Sequence, residues 1–176
     1  MGFYDADALE QIAINLFYGW GYNFYRLENQ LRADDLLVRS HVGTMLGSAR
    51  QSVETELSHY RRAFLALPTR DHPLPDPTAV AHARTLESLS AAIGQLAGAI
   101  RSLPAPENDR MTQRYREEAD TLLRLRTCDT QLVGQAETLR QMLTHDYDWM
   151  LQNEAAIRDG LQMLQRTLET RQLLLD

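Results

Sequence analysis

Lysine is absent from this chain of 176 residues; all 18 basic residues are arginine. That excludes Schiff-base chemistry on a lysine, the lysine of a phosphate-binding loop and a kinase-type lysine. Cysteine is almost absent too. The single Cys128 excludes an internal disulfide and any multi-cysteine zinc site. No apolar run reaches the roughly 18 residues that a membrane-spanning helix needs. No stretch is strongly basic, and the net charge of −6 argues against a general nucleic-acid binder. Arg110, Arg114, Arg116, Arg124 and Arg126 do gather, but Glu117, Glu118 and Asp120 interleave with them, as on a solvated helix face. The opening residues carry Asp5, Asp7 and Glu10 where a signal peptide carries positive charge, so the expected location is the cytoplasm.

Proline is confined rather than absent. All six prolines fall within 68–77 and 104–106. Proline costs about 3 kcal/mol inside a helix, so its confinement leaves three uninterrupted segments, 1–67, 78–103 and 107–176. Each repeats apolar residues at intervals of three and four, the helical signature, and no stretch reads as a strand. The expected fold is all-α: a single antiparallel, up-down bundle of four to five helices, at least one of them very long, with helices near 6–32, 35–67, 78–103 and 109–172. A turn is expected at Ala33-Asp34-Asp35, where an aspartate would cap the second helix; Gly19–Gly21 is the other candidate break. Asp76-Pro77 is a helix start, with Asp as N-cap and Pro at the first position. In 107–176 the alternation resembles a coiled-coil seam, interrupted at Thr127–Thr130 and at Thr144–Asp146.

Two glycine pairs, Gly43/Gly47 and Gly94/Gly98, sit on the helices flanking the 68–77 loop. If those helices pack antiparallel, Gly47 stands level with Gly98. Paired glycines of this kind often let backbones approach, so close helix packing is expected there.

Eight of the thirteen aromatic residues lie in the first 25 positions, and the run Phe17, Tyr18, Trp20, Tyr22, Phe24, Tyr25 cannot all face one core. Part of it is expected to meet a second surface, most simply another protein chain. Glu56-x-x-His59 places a carboxylate and an imidazole on one helix face, as in di-iron bundles of the ferritin type. Antiparallel packing would bring Glu10, Glu87 and Asp120 to the same height, which would suit a di-iron or single transition-metal centre. A second Glu-x-x-His is missing, however, and the loop at 68–77 is too short for the ferritin crossover. His145-Asp146 is an isolated His-Asp pair, and Cys128 has no base identifiable beside it.

The functional expectation is therefore a non-catalytic, cytoplasmic helical-bundle protein acting through protein–protein contacts, as a homodimer or an adaptor. It would use no nucleic acid, no membrane span and no cofactor. The alternative is a metal-binding four-helix protein with oxidoreductase-type activity.

Overall fold

A computed structural model describes the chain at residues 6–19, 31–65, 74–103 and 119–174, with side chains described at 7–16, 36–65, 74–103 and 124–174. These residues fold as helices that pack on one another, with no strand among them: an all-α helical bundle. We label the helices α1 (Ala6–Gly19), α2 (Leu31–Phe64), α3 (Pro77–Ser102), α4 (Ala119–Met142), α5 (Tyr147–Gln152) and α6 (Glu154–Leu173).

The boundaries follow local chemistry. Helix α3 starts where the sequence asks it to. The Asp76 carboxylate accepts from the amides of Thr78 (3.3 Å) and Ala79 (3.2 Å), with Pro77 at the first helical position. It ends before Pro104, which has no amide to donate. At the far end of α4 the Thr144–Asp146 interruption is a true break. Asp146 accepts from Trp149 N at 2.9 Å and caps α5. Thr127–Thr130, the other interruption, runs through α4 without one.

The expected turn at 33–35 is corrected: Ala33, Asp34 and Asp35 lie inside α2, which begins at Leu31. Gly19, from the other candidate break, is the last residue of α1. At 34 residues α2 is the longest of the described helices, about 51 Å from end to end, whereas the expected long region at 109–172 is divided into α4, α5 and α6 over its described residues.

Four helices form a square in the order α2, α3, α6, α4. Cross-contacts set their directions. Ser90 meets Glu54, and Arg101 meets Gly43, so α2 and α3 are antiparallel. Asp129 meets Arg171, and Gln135 meets Thr167, so α4 and α6 are antiparallel as well. Helices α3 and α6 run the same way, since Ser88 bonds Arg158 near one end and Leu103 and Gln172 border the same groove at the other. Two antiparallel hairpins thus lie side by side. The short α5 crosses one end, against α2, α3 and α6.

The core is an aliphatic column drawn from all four long helices. It includes Val42, Leu46, Val53, Leu86, Leu89, Ile93, Leu132, Leu139, Ile157 and Leu164, all essentially fully buried. Helix α1 lies outside the square and packs chiefly on α4. A Cβ on Gly134 would stand 2.6 Å from the carbonyl oxygen of Leu9, so only glycine permits this approach. With α1, α2 and α6 around it, α4 is buried at every position from Leu132 to Leu139.

Candidate interaction groove

Among the described side chains, the residues singled out for chemistry do not come together. Glu56 and His59 do pair, with Glu56 Oε1 3.1 Å from His59 Nδ1 on a largely exposed face. The other oxygen of Glu56 accepts from the amide of Tyr147 at 3.1 Å, which ties the start of α5 to α2. Glu87 is exposed and bonds Arg61. Glu10 is exposed on α1, whose main neighbour is α4; the hairpin that would have set it level with Glu56 is absent, because the expected turn at 33–35 is helix. Asp120 lies in the backbone of α4, and its side chain is outside the described ones. Among the described residues no three of His, Cys, Asp and Glu stand together in a way that could hold a metal ion.

The glycines meet arginine side chains rather than facing glycines. Arg101 lies over Gly43 and reaches toward Gly47, and Arg50 lies over Gly94, while a Cβ at Gly98 would meet nothing within 4 Å. The register is as expected, but the gaps are filled by guanidinium stems from the opposite helix, which lie flat over apolar surface. Of the aromatic run, Phe17 and Tyr18 belong to the backbone of α1, and their side chains lie outside the described ones. Trp20, Tyr22, Phe24 and Tyr25 lie outside the described residues altogether.

The remaining reactive groups among the described residues are engaged as follows. Burial pushes the Cys128 thiol up, the charge of Asp129 adds to this, and Arg171 opposes it; the result is a poor nucleophile. His145 stacks on Trp149 at 4.4 Å between ring centroids. The Tyr60 hydroxyl is 3.1 Å from His82 Nδ1. Burial raises the Tyr60 phenol, helped by the charges of Asp76 and Asp148. Its ring packs edge-on against Tyr147 at 5.3 Å, an aromatic joint between α2 and α5.

Two features went unread in the sequence. The first is a buried polar ladder between α4 and α6. Arg171 Nε donates to Asp129 Oδ1 at 2.5 Å with both side chains sealed from solvent, and Thr167 Oγ1 donates to Gln135 Oε1 at 3.0 Å. The second is a groove of about 830 Å³ along the outside of α3 and α6, floored by Leu96, Leu161 and Leu168. Its α6 wall carries Ala155, Arg158, Gln162, Gln165, Glu169 and Gln172, at steps of three and four, with Asp159 beside Arg158. This second periodic stripe, rotated from the leucine stripe, was the available signal. Its polar residues hid it from a search for apolar spacing. Comparison with protein-family models, with curated proteins and with solved structures finds no match for this chain.

Proposed function

We propose that this chain is a non-catalytic helical-bundle protein that acts through protein–protein contacts, as a homodimer or an adaptor, in the cytoplasm. The observation that carries the reading is the α3/α6 groove. It is long and open, its walls mix amides, small residues and the charged Arg158, Asp159 and Glu169, and the leucines at its floor are buried in the core. A mixed wall of this kind, running over several helical turns, suits another helix better than a small substrate, which would need an enclosed pocket. The reactive side chains described above support the same reading, since each is engaged in structural contacts or lies alone on the surface.

The aromatic run from Phe17 to Tyr25 is a second contact surface on this view, and Trp20→Ala is expected to weaken association while helicity is kept. The groove itself is tested with a photo-crosslinking amino acid placed at Gln165, on the α6 wall, or at Arg62, an exposed residue of α2. Cross-links in the cell to a protein, be it a second copy or another chain, are expected from Gln165 and not from Arg62. Equal or absent cross-linking at the two sites would remove the groove from the account.

A further inference from the structure

We infer that the α3/α6 groove is a self-association surface in which α6 of a second copy lies antiparallel along α6 of the first. This rests on the reading of the groove as a protein-contact site and names its partner. The wall of α6 falls into two heptad series, Ala155-Gln162-Glu169 and Arg158-Gln165-Gln172, the spacing that keeps one helix face against another over several turns. Three charged side chains lie on this wall, Arg158 and Asp159 toward one end and Glu169 toward the other, so an antiparallel second copy can bring each Arg158 to a Glu169.

A two-fold axis passing between Met163 and Leu164 sets Arg158 level with Glu169 of the partner subunit, and Gln162 level with Gln165 of the partner subunit. Each ion pair and each amide pair then occurs twice, as an isologous interface requires. A parallel arrangement in register would put like charges together at both ends. Because α3 and α6 run the same way, the incoming helix is antiparallel to both walls. Ala92, Ala99 and Ala155 keep those walls low enough for helix axes to approach to about 8–10 Å.

Both charged side chains are available for the contact. Arg158 is nearly half exposed and already forks between Glu154 (2.7 Å) and Ser88 (2.5 Å). Five donors leave it capacity for a further carboxylate. Glu169 is exposed and accepts only from Gln165 of its own helix among the bonds described, at 3.0 Å.

The test is the solution mass of the untagged full chain by sedimentation equilibrium, with charge reversals. The wild type is expected at about twice 20.1 kDa. Arg158→Glu and Glu169→Arg are each expected to weaken self-association at least tenfold, since each places two like-charge pairs across the axis. An equimolar mixture of the two variants is expected to recover the dimer, because both facing pairs are then opposite in sign. Glu169→Arg disturbs no ion pair within the subunit, so it carries the test if Arg158→Glu folds poorly; circular dichroism checks both. A monomeric wild type overturns the inference, as do single variants that stay dimeric or a mixture that stays monomeric. A monomeric wild type that still cross-links another protein through Gln165 would leave the proposed function standing without this partner.

Discussion

The two hairpins of the bundle are held in register by different means. Between α2 and α3 the interior is mostly aliphatic from Val38 to Leu57 and from Ala79 to Ile100, with Arg39 on α2 and Ser90 on α3 as its buried polar side chains. Arg39 donates to the Leu103 carbonyl at the end of α3, Ser90 bonds the exposed Glu54, and Arg101 bonds the Gly43 carbonyl at the rim. Between α4 and α6 the polar contacts lie inside. The Asp129–Arg171 pair and the Gln135–Thr167 bond are sealed from water and fixed to partners that only one alignment supplies. An aliphatic seam tolerates a shift of one helical turn at modest cost. A buried charge that loses its partner does not. The α2/α3 hairpin is therefore stabilised by burial, and the α4/α6 hairpin is specified by its polar ladder.

This contrast can be broken most severely at Arg171. Arg171→Met leaves the Asp129 carboxylate buried without its cation and is expected to cost about 3–5 kcal/mol in denaturant unfolding. The double variant Asp129→Leu/Arg171→Met is expected to recover most of that loss. If the single variant costs no more than a surface ion pair, the ladder is not what fixes this hairpin.

On the other side of the comparison, Leu89→Ala removes a fully buried side chain from the α2/α3 seam, at an expected cost of about 2–5 kcal/mol. No second substitution on α2 should rescue it in the way the double variant rescues α4/α6. Equal rescue in both hairpins would erase the distinction between them.

A local change sharpens the role of α4 as the shared helix. Gly134→Ala drives a methyl group into the backbone of α1 at Leu9, a strain of about 1–3 kcal/mol. Part of it is offset by the better helix propensity of alanine. Amide exchange is expected to rise in α1 while α2 and α3 keep their protection; a uniform rise would mean that α1 is not a separable element.

The smallest effect is a matter of pH. Burial by itself would raise the Glu137 carboxyl. The hydrogen bonds from Arg140 (2.6 and 2.7 Å) and Gln141 (3.0 Å), together with the charge of Arg140, outweigh that and hold it below the usual carboxylate range. A lowered folded-state pKa adds stability that is complete above the unfolded value and is lost as pH falls through the folded one. Glu137→Gln is therefore expected to be slightly less stable than wild type at neutral pH and equal to it in acid. A gap that persists unchanged at low pH would contradict the ionic origin.

How much of this was legible in the sequence follows from the same contrast. The α2/α3 hairpin could be read because its helices are amphipathic, with Val38, Val42, Val53 and Leu57 on one face and charges on the other. Asp76-Pro77 could be read as a helix start because capping is local chemistry, whereas Thr144–Asp146 showed only as an interruption and the cap at Asp146 went unread. Helix α4 could not be read in the same way. It is covered on three sides, so Asp129, Gln135 and Glu137 are buried along with Leu132 and Leu139, and periodicity loses its contrast. The turn at 33–35 was misplaced because an aspartate near the first turn and an aspartate at the cap look alike in a sequence. The groove escaped because a helix wall of Arg158, Gln162, Gln165 and Glu169 has the composition of any solvated face. Only its position beside α3 gives it shape.

The most direct test of the claim that two copies of this chain meet through this face is a nitroxide spin label at Gln162, compared with one at Arg62. Cys128 is replaced by alanine so that each label stands alone. Helices across the proposed axis would lie about 8–10 Å apart, so the Gln162 spectrum is expected to show strong dipolar broadening. That broadening should vanish on dilution with unlabelled protein, and the Arg62 spectrum should show none. Spectra from the two positions that are equally sharp at high protein concentration would contradict the account.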